Sequence, residues 1–266
     1  MLYRSYGSTD CGNRPGINQD AYYLNDDAGL YVLCDGMGGH TGGKIAAELA
    51  IEAIVSFILP RAELIEAIAE TDADGKKLEL LVRNAVQNAC REVYRCAKRY
   101  PECDGMGTTL TMLLLCGNSA VLGHVGDSRL YALRETHLKQ LSKDHTIVQD
   151  LMDQGVMDEA TLKATPFAHA LMRSIGRQES VEVDTMFFPL LSGDRFLLCS
   201  DGLSGALKDE NELRKHMGAK DGTLIARKLV NLARERKSKD NITGVVVEVR
   251  DDETARRPLE QRVGNF

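Results

Sequence analysis

Long apolar runs are missing from this sequence. No stretch approaches the roughly 20 consecutive hydrophobic residues that cross a bilayer, so no membrane partner is expected. The segment Met1 to Asp10 lacks the charged-then-apolar order of a secretion signal, which makes the cytoplasm the expected location. A basic excess is missing too: 33 Lys and Arg stand against 39 Asp and Glu, a formal net charge of −6, with no cationic stripe to track nucleic acid. The seven cysteines form no Cys-x-x-Cys pair and are odd in number, which points away from a disulfide framework or a zinc knuckle and towards buried thiols in a reducing compartment. None of the six histidines stands three to five residues from another, as zinc sites require. Repeats, low-complexity tracts and Gly/Ser/Pro linkers are absent as well. One domain over residues 1–250 is expected, with a polar tail over residues 251–266.

What is present is ordinary globular material: 43% hydrophobic and 27% charged residues, enough to bury a core. Apolar and β-branched segments predict strands at Leu2–Tyr6, Ala21–Leu24, Leu30–Cys34, Thr108–Cys116, Ala120–Val125, Leu130–Leu133, Val181–Phe188, Arg195–Cys199 and Ile242–Val249. Helical periodicity runs from Gly43 past Phe57, towards and beyond Pro60, and again over Lys77–Arg99, with shorter stretches at His145–Gln154, Glu210–His216 and Thr223–Arg236. Strands, then adjacent helices, then strands again is not the alternation of a parallel sheet. It predicts a layered α+β fold with antiparallel sheets.

Carboxylates recur where strands end. Leu30–Cys34 stops at Asp35-Gly36-Met37-Gly38-Gly39-His40, and Phe196–Cys199 stops at Ser200-Asp201-Gly202. Lys239-Asp240-Asn241 precedes the last strand, Asn18-Gln19-Asp20 precedes the second, and Gly126-Asp127-Ser128-Arg129 lies between two. A single Asp-Gly pair in such a place is most often a turn. Aspartates converging in one pocket would repel one another without a cation, and an all-oxygen ligand set favours magnesium or manganese over zinc or copper.

These motifs, with Gly12-Asn13-Arg14, Gly107-Thr108-Thr109, Ser142-Lys143-Asp144-His145, Arg173-Ser174-Ile175-Gly176 and Ser238-Lys239-Asp240-Asn241-Ile242-Thr243, stand in one order along the chain. In that order the sequence resembles the metal-dependent, type 2C-like protein phosphatase family, and its bacterial branch in particular. The resemblance implies a four-layer αββα fold, a central antiparallel β-sandwich of two sheets flanked by helix pairs, with two Mg2+ or Mn2+ ions in a cleft at one end. It implies that Asp35 bridges the ions, that the Gly36 carbonyl, Asp20, Asp201 and Asp240 complete the set, and that Asp127 serves a further ion. It also implies hydrolysis of phosphoserine and phosphothreonine by a cation-activated water, with Arg14 orienting the phosphoryl group. The expected partners are phosphoproteins made by a serine/threonine kinase, and the expected state is a monomer. Met37 departs from the Asp-Gly-His-Gly-Gly of many eukaryotic relatives. A thioether cannot protonate the leaving alcohol, and His40 is a candidate by nearness in sequence, alongside a loop-supporting role.

Three rivals compete with this reading. Gly38 to Lys44 satisfies the Gly-x-x-x-x-Gly-Lys part of a nucleoside triphosphatase loop, but Ile45 replaces the Ser or Thr that would serve magnesium. A thiol-based phosphatase needs an arginine six positions after its cysteine, and no cysteine here has one. A catalytically inactive phosphoprotein-binding relative would have lost ligand positions, and all are intact. The segment from Gln149 to Asp184, with a loop from Gly155 through Ala168, is expected to form a flap beside the cleft.

Overall fold

A computed structural model describes residues 1–13, 16–38, 41–155 and 170–251. Two antiparallel sheets stack face to face. The first has the order β1 (Leu2–Asp10), β11 (Ile242–Arg250), β10 (Arg195–Cys199), β7 (Arg129–Arg134), β8 (His137–Gln140). The second runs β2 (Asp20–Asn25), β3 (Leu30–Met37), β5 (Leu110–Cys116), β6 (Ser119–Val125), β9 (Asp184–Pro189), with the two-residue β4 (Gly107–Thr108) paired to the end of β3.

Strand periodicity sorts the core into three layers. Along β3, Tyr31 and Leu33 pack between the sheets with Phe196, Leu198, Val245 and Val247. Their neighbours Leu30, Val32 and Cys34 turn outward under α1 (Gly42–Ile58) and α3 (Lys76–Arg99). On the opposite outer face Leu197, Cys199 and Val246 lie under α6 (Glu210–Met217) and α7 (Ile225–Glu235). The molecule is therefore α+β, with helices covering both outer faces of the sandwich. Buried on both faces, β3 reads as a continuous apolar run, and this hides its true end.

The helix α3 buries Leu78, Leu81, Val82, Ala85, Val86, Ala89 and Val93, a stripe at helical spacing. Its amino end is held by Asp72, whose Oδ2 accepts from the Lys77 and Leu78 amides at 2.9 and 3.0 Å. No helix among the described residues is long and apolar enough to cross a membrane.

Several boundaries differ from the sequence expectation. The first helical pattern is two helices, α1 and α2 (Ala62–Thr71), separated by a tight turn through Pro60, because proline cannot donate into a continuing helix. The Thr108–Cys116 run is broken at Thr109, and the Val181 strand begins only at Asp184. β8 was not predicted; its alternating His-Leu-Lys-Gln has one apolar residue and gives no run to detect. Most of the expected loop from Gly155 through Ala168, and nearly all of the tail, lie outside the described residues.

Candidate active site

The inter-sheet layer opens at one end into a cavity of about 750 Å³ whose lining includes Asp35, Gly36, Met37, Asp127, Asp201 and Asp240. Three of these aspartates stand at element ends. Asp201 begins the short helix α5 (Asp201–Ser204) one residue past β10, Asp240 lies two residues before β11, and Asp127 sits where the chain crosses from β6 in one sheet to β7 in the other.

Asp35 is a correction to the sequence reading. It does not follow the strand but lies inside it, since β3 continues to Met37 by pairing Gly36 with Thr108 and Met37 with Gly107. The same alternation that sends Tyr31 and Leu33 between the sheets sends Asp35 there too. Its backbone is fixed by the Gly-Thr-Thr motif: the Asp35 amide donates to Thr109 Oγ1 at 2.9 Å, and its carbonyl accepts from the Thr109 amide and from Thr108 Oγ1, each at 2.9 Å. Thr109 Oγ1 in turn shares a 2.8 Å hydrogen bond with Ser128 Oγ, tying this strand to the loop that carries Asp127.

Asp20 opposes Asp35 in the β2–β3 register. Its Oδ2 accepts from Thr243 Oγ1 at 2.6 Å and Ser200 Oγ at 2.8 Å, two hydroxyls of the other sheet, while its Oδ1 is buried with no donor. Asn241 clamps the approach to Asp20: its Oδ1 accepts from the Gln19 amide at 2.9 Å and its Nδ2 donates to the Cys11 carbonyl at 3.1 Å. The Gly126 position before Asp127 has φ +114°, and a Cβ there would stand 2.6 Å from the Thr109 side chain, so glycine is required on both counts. His145 holds that turn at two points. Its ring Nδ1 accepts from the Gly126 amide at 3.0 Å and its own amide donates to the Gly126 carbonyl at 2.8 Å.

The electrostatics are those of crowded like charges. Burial first, then the charges of Asp20, Asp201, Asp127 and Asp240, hold the Asp35 carboxyl well above the usual carboxylate range. Burial and the Asp201 charge push Asp20 up to about 6 against the two hydroxyl donors, and burial with Asp201 and Asp144 pushes Asp127 up to about 7. Among the described residues no three His, Cys, Asp or Glu side chains already form a set closed enough to hold an ion. Asp35, Asp127, Asp201 and Asp240 line one cleft, and Asp20 lies within electrostatic range of Asp35 while bordering the neighbouring groove. Their chemistry nonetheless fits a hard divalent cation: oxygen donors throughout, pKa values raised by burial and then by neighbouring charge, and a buried Asp20 oxygen lacking a donor.

Arg14 and His40 lie outside the described residues. Lys44, the lysine of the phosphate-loop alternative, reaches Glu48 at 3.8 Å and borders the neighbouring groove with Asn18, Asp20, Ala21 and Tyr22, not the cleft lined by Asp35. That alternative is left without its phosphate-binding cation. Sequence reasoning gave no role to Ser200, Thr243, Thr109 or His145, although each stands in a motif quoted above. The available signal was parity: Ser200 and Thr243 continue the inner-face alternation of β10 and β11.

Residues 13–231 match the family model for protein phosphatase 2C, and the chain belongs to that family. Among its relatives is the serine/threonine protein phosphatase PstP of Mycobacterium tuberculosis, 35% identical over 251 residues; the match covers 94% of this chain and 46% of PstP, so the chain spans about half the length of that relative. The serine/threonine phosphatase stp of Listeria monocytogenes is 32% identical over 90% of this chain and 93% of its own. A crystal structure of the PstP catalytic domain in complex with two manganese ions superposes with TM-score 0.80 at 34% identity, covering 94% of this chain and 99% of that one.

Proposed function

We propose that this chain is a metal-dependent protein serine/threonine phosphatase, acting as a cytoplasmic monomer on proteins phosphorylated by a serine/threonine kinase. The observation that carries the reading is the gathering of Asp35, Asp127, Asp201 and Asp240 around one cleft, with Asp20 opposite Asp35 in the strand register, where burial and then the neighbouring carboxylate charges raise the carboxyl pKa of Asp35, Asp20 and Asp127. Such a cluster is costly unless cations neutralise it. Family membership, relatives named as serine/threonine phosphatases and a neighbour holding two manganese ions support the same conclusion. The buried, unpaired thiols Cys34, Cys103 and Cys199 agree with a reducing compartment.

In this reading Asp35, Asp20, Asp201, Asp240 and the Gly36 carbonyl would hold two Mg2+ or Mn2+ ions, and Asp127 would serve a third. When bound, the ions supply Lewis acidity, which acidifies water to near neutral pH and offsets charge gathering on phosphorus. The chain's own residues do the rest. Asp35 is fixed by three backbone-level hydrogen bonds and so presents its carboxylate without reorganisation. Thr243 and Ser200 keep Asp20 ionised and aimed. Arg14, from its place in the Gly-Asn-Arg motif, would orient the phosphoryl oxygens through paired N–H donors. Met37 has no acidic proton to give, so the leaving serine or threonine oxygen would take its proton from water or from another group, for which His40 is a candidate by its place in the sequence.

Phosphate release from a phosphothreonine peptide, with and without manganese, tests the reading. Turnover should require manganese, vanish with EDTA, and fall by more than ~100-fold in Asp35→Asn, beyond the loss typical of a ligand's supporting partner. Peptide binding without turnover would favour the inactive relative. Turnover that ignores EDTA would refute metal dependence.

A further inference from the structure

Resting on the phosphatase reading, the geometry points to Arg177 as a specificity residue that selects an acidic side chain next to the phosphorylated residue of the substrate. Among the described residues lining the carboxylate cleft, Arg177 is the one cation against Asp35, Asp127, Asp201 and Asp240. It also lines an adjoining cavity of about 480 Å³, which shares Met172, Ser174 and Gln178 with the cleft and adds Gln87, Ser180 and the ion-paired Arg173 and Glu182. The two cavities meet at this side chain.

The contrast with Arg173, the other arginine of that side cavity, defines the role. Arg173 is already committed, with Nη2 on Glu182 Oε2 at 2.7 Å and Nη1 on Asp184 Oδ1 at 2.8 Å. Arg177 is exposed and makes no ion pair or hydrogen bond among the described residues. Its stem is nevertheless well placed. A Cβ on Gly107 would lie 3.3 Å from Arg177 Cγ and 3.7 Å from Met37 Cγ, so the arginine stem flanks the end of β3 beside Met37. The backbone around it is anchored on both sides: Ile175 exchanges hydrogen bonds with Thr108 at 2.8 and 3.1 Å, and the Gln178 carbonyl accepts from Cys90 Sγ at 3.2 Å on α3. A cation on a fixed stem, uncommitted, at the junction of the cleft with a polar side cavity is suited to an anionic group lying just outside the reacting centre. When phosphate occupies the cleft, that group is the carboxylate of a flanking glutamate or aspartate in the side cavity.

The test compares p-nitrophenyl phosphate with phosphothreonine peptides carrying Glu, Ala or Lys in the flanking positions. Wild type should favour the Glu peptide. Arg177→Ala should lose roughly ten-fold in kcat/KM on that peptide, through KM, the size expected for one charge contact, while changing the Ala peptide and the aryl phosphate less than about two-fold on the same scale. Arg177→Lys should recover part of the loss, and Arg177→Glu should turn the preference towards the Lys peptide. Equal kcat/KM on all peptides in wild type and Arg177→Ala overturns the inference and leaves the phosphatase reading standing. A matching loss on the aryl phosphate also overturns it, since Arg177 would then hold the phosphoryl group itself. No turnover of any substrate by manganese-loaded wild type takes the phosphatase reading and the inference down together.

Discussion

Asp20 shows how the site was built from residues whose purpose is invisible in isolation. The carboxylate belongs to the second sheet, yet the two hydroxyls that hold it, Ser200 and Thr243, belong to or directly follow strands of the first. Those donors oppose the upward pull of burial on its pKa. Removing one leaves Asp20 easier to protonate and less well aimed, so Thr243→Val should weaken manganese binding by ~10–100-fold, as loss of a ligand's supporting hydrogen bond typically does. Isothermal titration with manganese measures this directly. An unchanged affinity would mean that the hydroxyl serves only the packing of the sheets. The aspartates themselves were legible, because Asp-Gly and Asp-Asn pairs beside apolar runs stand out in any sequence. Their supports were not, since a serine or threonine continuing an inner-face alternation looks like any other strand residue.

Elements meet at the site through the contact of α1 with β3. A Cβ on Gly43 would lie 2.7 Å from the Gly36 backbone, and one on Gly36 would lie 2.1 Å from the Gly43 carbonyl. The helix start and the strand end therefore touch backbone to backbone, next to Asp35. Gly43→Ala should force them apart at a cost of ~1–3 kcal/mol, typical of overpacking, with phosphatase activity falling together with the melting temperature. Retained melting temperature with full activity would contradict this account of the contact. Gly36 and Gly43 stand in one glycine-rich stretch of the sequence, but the backbone contact between them depends on tertiary packing. The end of β3 was misread for a related reason. Strand signals fade at polar residues, but pairing with Thr108 and Gly107 carries the strand through Asp35 regardless. Gly-Thr-Thr and Gly-Asp-Ser-Arg were likewise recognisable as motifs, while the Thr109–Ser128 hydroxyl bond that joins them was not.

At the scale of the whole molecule, the carboxylate cluster makes stability depend on pH in a direction that can be worked out. A carboxyl whose pKa is raised by folding contributes stability below its unfolded value near 4 and loses it as pH climbs through the folded value. Asp20 at about 6 and Asp127 at about 7 place that loss between roughly pH 4 and 7. Buried His124, pushed down to about 4 by burial and its neighbour His145, titrates in the opposite sense, so a single melting curve mixes the two. The difference between metal-free wild type and metal-free Asp35→Asn isolates the cluster: the variant should melt higher at pH 8, and the gap should close by pH 5. Manganese should remove the wild-type deficit at pH 8 by competing with protons for the same oxygens. A variant that melts lower at both pH values would remove the electrostatic account. The pairing of β1 with β11 has a consequence of another kind. The last strand inserts between the first and β10, and Asp240 and Thr243 arrive with it, so a nascent chain lacking residues 240–250 holds only part of the acidic cluster. Completion of the acidic cluster therefore waits on the long-range pairing that seats residues 240–250 between β1 and β10.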